Sequence, residues 1–188
     1  MYSRPLIAFA VSFTLILSTA FSSTVMARRS GGDPGISYVA YSYPDLSPET
    51  WDDVRPWTRG DGRELCGQGV EPQIDFDWED GSVFACGEDD VAVQFTGYIQ
   101  VPRSGLYTFY NESDDGFILK INRRKVVSDW ESQGPETYNG SGRIYLLANA
   151  RYSFEIWYFE DGGGAELSLY WSRGRMTPEL VPGSWLSH

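Results

Sequence analysis

Histidine is nearly absent from this chain of 188 residues: the one present is His188, at the very end. Cysteine is scarce too, with only Cys66 and Cys86. No serine stands in a nucleophile motif with a base to activate it. These gaps remove the usual nucleophile–base pairs and the nitrogen and sulfur ligand sets of zinc, so the chain is not expected to be an enzyme. Positive charge is also short. Lysine and arginine number 15 against 26 acids, a net charge of −11. Such a surface repels phosphate backbones, so nucleic acid is not an expected partner, whereas cations and neutral ligands are tolerated. Heptads, internal repeats and long amphipathic helices are missing. Beyond residue 21 no run is long and apolar enough to cross a membrane.

What is present begins with an export-like segment. Arg4 precedes an apolar run from Pro5 to Phe21, and Val25-Met26-Ala27 offers a small-x-small cleavage pattern, with Ser18-Thr19-Ala20 as a second choice. Residues 1–27 are therefore expected to be a secretory signal, leaving 28–188 as one secreted, soluble domain. No sorting or lipid-anchor motif is expected in Gly183–His188. In an oxidising compartment Cys66 and Cys86 are expected to join as a structural staple, since a metal reading of the pair lacks further ligands. Oligomeric state is left open.

The rest reads as strands. Val91, Val93, Phe95, Ile99 and Val101 alternate with Ala92, Gln94, Thr96 and Gln100, the period of a half-buried strand. Pro102-Arg103-Ser104-Gly105 punctuates before Leu106–Tyr110, and the two runs are expected to form a hairpin. Phe117, Leu119 and Ile121 alternate up to a polar turn at Asn122-Arg123-Arg124. Ser128–Gly142 reads as a loop, and Arg143–Leu147 as a strand. Tyr152–Tyr158 and Ala165–Trp171 alternate on either side of Glu160-Asp161-Gly162-Gly163-Gly164. Ile74, Phe76 and Trp78 suggest a short strand, and Pro48–Trp57 a helical turn. Many short strands with glycine turns predict an all-β sandwich or barrel.

Asp114 and Asp115 pose the functional question. Neighbouring side chains of a regular strand point to opposite faces, so the two carboxylates could share one cation only across a sharp turn or a cis peptide. Ser-Asp-Asp-Gly is also simply a good turn, because aspartates bond their own backbone. Calcium takes six to eight oxygen ligands and accepts carbonyls. Further oxygens would have to come from another loop, and Glu160–Ala165, with two acids and three glycines, is the natural supplier. Adjacent aspartates suit chelation better than glycoside hydrolysis, whose two carboxylates stand about 5–9.5 Å apart.

From Gln73 to Ser187 the chain resembles the PA-14 domain, the module named after a fragment of anthrax protective antigen. Five motifs carry the resemblance in order: IDFDW (Ile74–Trp78), VQFTGYIQVPRSGLYTFYNESDDG (Val93–Gly116), LKINRRKVVSDW (Leu119–Trp130), LLANARYSFEIWYFEDGGGAELSLYW (Leu146–Trp171) and VPGSWL (Val181–Leu186). One departure is Asn122-Arg123-Arg124, where the family has Asp-Gly. Asparagine tolerates the left-handed conformation, so the hairpin survives, and the arginines are expected to add positive charge near the site.

The resemblance implies a two-sheet antiparallel β-sandwich working outside the cell, as in adhesins, glycosidases and toxins. It implies a calcium-dependent lectin, in which a cis-linked Asp114–Asp115 pair chelates the ion together with Asp161 and the carbonyls of Gly163 and Ala165, and the ion binds sugar hydroxyls. Carbohydrate is the partner so implied. The alternative is a structural or protein-interaction module without ion or sugar. Trp130 is a candidate for stacking on a sugar, though such a tryptophan is more often core. Arg123, Arg124 and Lys125 read as a solvated turn. Arg59-Gly60-Asp61 matches the integrin tripeptide by chance more often than by function. Asn111-Glu112-Ser113 and Asn139-Gly140-Ser141 match the glycosylation acceptor.

Overall fold

A computed structural model describes residues 32–43 and 62–188, all within one unit spanning Gly31–His188. The export-like segment, Pro48–Trp57 and Arg59-Gly60-Asp61 lie outside the described residues.

The described chain forms two antiparallel sheets. One holds β1 (Ile36–Ser42), β2 (Glu64–Glu71), β4 (Val91–Ile99), β6 (Phe117–Ile121), β7 (Arg124–Asp129) and β9 (Tyr152–Glu160), in the order β2-β1-β4-β9-β6-β7, with β12 (Leu186–Ser187) added to β4. The other holds β5 (Gly105–Asp114), β8 (Gly140–Leu146), β10 (Ala165–Arg173) and β11 (Glu179–Leu180), in the order β11-β10-β5-β8, with β3 (Asp75–Glu79) also pairing β10. This is the expected sandwich. Alternation explains the core: Phe95 on β4, Phe109 on β5, Ile156 and Tyr158 on β9 and Leu167 on β10 are all fully buried between the sheets.

The hairpin expected of the runs at 91–101 and 106–110 is not a hairpin. β4 pairs with β1 and β9, whereas β5 pairs with β8 and β10. β9 and β10 likewise lie in different sheets. Each pair of runs is an arch over the core. A period-two pattern says which face of a strand is buried, but both halves of an arch bury a face just as the halves of a hairpin do. The turn at Asn122-Arg123 is a true hairpin: both residues have positive φ, 52° and 66°, and β6 pairs β7 across it. It stands at the end of β6 remote from Asp115, so its arginines are not near the aspartate pair as expected.

β1 and β2 escaped the strand pattern. Gly67 and Gly69 interrupt β2, and a side chain at Gly69 would meet the ring of Tyr38 on β1 at 2.8 Å. The Cys66–Cys86 disulfide forms, tying this edge strand to the short turn Val83–Ala85.

Candidate metal centre

The aspartate pair sits where two arches meet. The chain leaves the end of β5 at Asp114 and enters the other sheet at Phe117 on β6. Beside it, the chain leaves β9 at Glu160 and crosses back to β10 at Ala165. Main-chain bonds lock the arches together: the Asp115 N–H donates to the Phe159 carbonyl at 3.2 Å, and the Phe159 N–H to the Gly116 carbonyl at 3.1 Å. Gly116 is required here, because a Cβ at that position would fall 2.0 Å from the Phe159 ring.

The Asp114–Asp115 peptide bond is cis. Carboxylate oxygens of Asp114, Asp115 and Glu160 lie within 4.8 Å of one another. Asp115 is 4% exposed and Glu160 fully buried. Asp115 Oδ1 accepts the Gln133 N–H at 2.7 Å, and Oδ2 accepts the Asp161 N–H at 2.7 Å. The Tyr158 hydroxyl lies against the Asp114 carbonyl oxygen and 3.3 Å from Glu160 Oε2. Glu160 Oε1 is buried without a hydrogen bond.

Crowded carboxylates out of water resist ionisation. Burial, with help from Asp115 and Asp114, raises the Glu160 carboxyl to about 8. Burial, then Asp115 and Glu166, raises Asp114 to about 6. Asp115 is also raised by burial, although the N–H groups of Asp161 and Gln133 pull it back in part. Among the described residues no lysine or arginine is paired with any of the three. A cation placed among them would satisfy Glu160 Oε1 and turn mutual repulsion into attraction. The donors are all hard oxygens, with no histidine or free cysteine at hand, so the residues fit a hard divalent ion rather than zinc.

The other sequence candidates divide. Asp161 contributes its N–H to Asp115, while its own Oδ2 accepts the Ser132 hydroxyl at 2.9 Å. It is not among the clustered carboxylates. Gly163, with φ 110°, donates its N–H to Asp89 Oδ1 at 3.2 Å. Ala165 is buried at the start of β10 and pairs with Glu79. Trp130 packs edge-on against Phe159, with ring centroids 4.6 Å apart, which makes it a support of the arch.

Glu160 belongs to the loop expected to supply oxygens but is not singled out there as a ligand, yet the sequence carries its signal. Phe154, Ile156 and Tyr158 all face inward, and the same period places Glu160 inward as well. β5 shows the same trend: after Tyr107 and Phe109, its inward row turns polar at Asn111 and Ser113, both fully buried. Asn111 Nδ2 donates to Ser113 Oγ and to Asp129 Oδ2, each at 2.9 Å. Gln133 Nε2 donates to the same Asp129 oxygen at 2.8 Å. The network joins the aspartate pair to the loop 130–139. It also leaves Asn111 no room for a glycan in the folded chain. The Asn139 side chain is engaged as well, accepting the Ser113 N–H at 3.0 Å and donating to the Gly134 carbonyl at 3.1 Å.

The chain and its two-sheet sandwich have known relatives. The chain is 33% identical over 118 residues to anti-sigma-I factor RsgI3 of Acetivibrio thermocellus, covering 62% of this chain and 18% of that protein. A solved structure described as an anti-sigma factor domain-containing protein superposes with a TM-score of 0.67 at 28% identity, over 82% of this chain and 48% of that one. This chain thus spans less than half the length of either relative. The PA14 sugar-binding domain from an RTX adhesin superposes with a TM-score of 0.62 at 20% identity, over 82% of this chain and 98% of that domain, a likeness of fold. The sequence profile of the PA14 domain matches residues 34–185, and the chain belongs to the PA14 domain family.

Proposed function

We propose that this protein is an exported, calcium-dependent carbohydrate-binding module. The observation that carries the reading is the buried, unpaired Glu160 Oε1 facing a pair of carboxylates that lack cationic partners among the described residues. Asp114, Asp115 and Glu160 would hold the ion. The Glu160–Ala165 arch would supply further oxygens, with Asp161, Gly163 and Ala165 the candidates. When bound, calcium would offer its open coordination positions to sugar hydroxyls. The chain itself orients Asp115 through the N–H groups of Gln133 and Asp161, and it walls the site with the loops at 87–90 and 130–139. Export is supported by the apolar run Pro5–Phe21 and by the disulfide, which suits an oxidising compartment. The sugar-binding description of the adhesin domain supports the ligand class. A glycan array probed with the domain in calcium and in chelator tests the reading. Binding that calcium restores supports it; an array that stays blank in calcium, or that binds equally in chelator, contradicts it.

A second reading is favoured by the 33% identity to an anti-sigma factor: the module serves as the ligand-sensing part of a regulatory protein. It shares the same site and differs in what the bound ligand reports to. Fusing the domain to a reporter regulator and adding the array's best ligand would test it, an unchanged reporter signal counting against it.

A further inference from the structure

The two ends of the sandwich differ in charge. Asp89, Asp114, Asp115, Glu160 and Asp161 stand at the arch end. Arg103, Arg143, Arg151, Arg173 and Arg175 stand at the other, on turns or close to them, and Arg123 and Arg124 join them from the β6–β7 hairpin. Among the described residues none of these arginines is in ion-pair contact with a carboxylate. Glu71 and Glu179 oppose them in part, and Glu179 already accepts the Trp171 indole N–H at 3.1 Å. Leu106, at the arginine end, is eight residues from Asp114 on β5, about 27 Å at roughly 3.4 Å per residue. In physiological salt a charge is felt over about 8 Å, so the arch acids do not cancel the field of the arginines.

Apolar side chains project from the same end. Leu106, Tyr145, Leu147 and Met176 are 46%, 61%, 54% and 55% exposed. Leu106 and Tyr145 are directly opposite each other on β5 and β8, and Leu147 follows Tyr145 at the spacing that keeps it on one face. Ile144 and Leu146 are the inward residues of β8 and are buried. Tyr145 and Leu147 therefore occupy outward positions, which a sheet facing water gives to polar residues. Arg143 precedes them in the same outward row and is exposed. Met176 stands on the turn after β10, which the Gly174 N–H ties to the Leu106 carbonyl at 3.2 Å. The chain ahead of the domain also joins this half. A Cβ at Gly32 would meet the Arg151 guanidinium at 2.7 Å and the His188 carbonyl oxygen at 2.5 Å, so the connection to the apolar run Pro5–Phe21 leaves beside Arg151.

We infer that this end of the sandwich docks on an anionic phospholipid bilayer. Leucine, methionine and tyrosine side chains suit the boundary between headgroups and acyl chains. Arginines around them reach lipid phosphates while their stems lie along apolar surface. Attraction to a charged surface needs only that the cations share one face, with no fixed pairing between guanidiniums. A second copy of the chain is a poorer occupant. Each copy carries a net charge of −11 and repels the other, and the apolar side chains project from three separate segments. The inference is independent of the carboxylate cluster and of sugar binding.

The test is vesicle flotation of the chain from residue 28, disulfide intact, in chelator so that calcium cannot bridge the arch acids to phosphates. The vesicles are phosphatidylcholine alone, and phosphatidylcholine mixed equally with phosphatidylglycerol. The expected result is binding to the mixed vesicles only, weakening as salt is added. Arg143→Gln and Arg175→Gln should each lower the partition coefficient by about fivefold, and Leu106→Ser and Leu147→Ser by about tenfold. Arg63→Gln removes the same charge at the arch end and should leave binding unchanged. These four positions at the docking end are exposed, so denaturation midpoints should match the parent's, which separates lost binding from lost fold. Four outcomes would overturn the inference: no flotation with the mixed vesicles, equal flotation with the neutral ones, an equal loss in Arg63→Gln, or a vesicle-free dimer that Leu147→Ser abolishes.

Discussion

Asp115 accepts the main-chain N–H of Asp161 at 2.7 Å, and through that bond one arch of the sandwich holds the other in register. The same carboxylate accepts from Gln133, so three segments distant in sequence converge on one side chain. A carboxylate so tethered can be a ligand of fixed position, because neither neighbouring loop can shift without breaking a bond to it.

The raised carboxyls make stability depend on pH in a definite direction. A carboxyl whose value is higher in the fold than in the unfolded chain binds its proton more readily when folded. Its contribution is therefore favourable at low pH and is lost as pH rises through the folded value. For Glu160 the window runs from 4.5 to about 8, and for Asp114 from 3.8 to about 6. Without calcium, urea denaturation should show stability falling between about pH 5 and about pH 8, at no more than about 1.4 kcal/mol per pH unit for each proton. Asp114 is only partly buried, so solvent screening makes its share the smaller. Glu160→Gln should flatten the fall. Saturating calcium should reduce or reverse it, because ion and proton compete for the same oxygens. A profile that rises with pH in chelator would contradict the site's electrostatics.

Gly116→Ala should destabilise the fold by about 3 kcal/mol, at the upper end of ordinary overpacking. The added Cβ would fall 2.0 Å from the Phe159 ring, and Phe159 is itself fully buried and bonded to the residue-116 carbonyl. Equal denaturation midpoints for the two proteins would show that the arches are looser than described.

Much of this architecture can be read in the sequence, and the limits have physical causes. Val91–Ile99 and Tyr152–Tyr158 declare themselves because every second residue is large and apolar. Which strand lies beside which does not follow from alternation, so Val93–Tyr110 and Tyr152–Trp171 read equally well as hairpins or arches. Only the sheet pairing separates the two. Asp114 and Asp115 stand out through adjacency. Glu160 is hidden, because on paper it reads as the first polar residue of a turn, whereas the strand's period carries it inward beside Tyr158. Asp161, the more conspicuous acid by resemblance, accepts the Ser132 hydroxyl through Oδ2. Asp89 and Gln133 lie in loops with no pattern, and only folding brings them to the site.

Gln133→Ala should separate ion binding from ligand binding. The substitution removes the side-chain bond to Asp129 and leaves the main-chain bond to Asp115 in place. Calcium affinity should be retained, while affinity for the glycan identified on an array should drop by about fivefold, the worth of one hydrogen bond of about 1 kcal/mol. Calorimetry with each ligand in turn checks this; a matched loss of both affinities would show that the loop contributes to the ion site itself.

Reducing the disulfide, or replacing Cys66 and Cys86 by serine, should lower stability by about 3 kcal/mol through the roughly 20-residue loop it closes. The loss should be nearly the same with and without calcium, since neither cysteine contributes an atom to the carboxylate cluster. Denaturation of the double variant in calcium and in chelator reads this directly, and a loss that appears only in calcium would tie the β2 edge to the ion site.

The central claim is a calcium ion held by Asp114, Asp115 and Glu160. The most direct test is calcium titration by calorimetry on the disulfide-intact protein, alongside Asp115→Asn and Glu160→Gln, with thermal unfolding as a second readout. The account predicts one calcium per chain in the parent protein, a stabilisation of about 2.7 kcal/mol at a hundredfold excess over the dissociation constant, and loss of both effects in each variant. No heat and no thermal shift up to millimolar calcium would contradict it, and so would calcium binding that both variants retain.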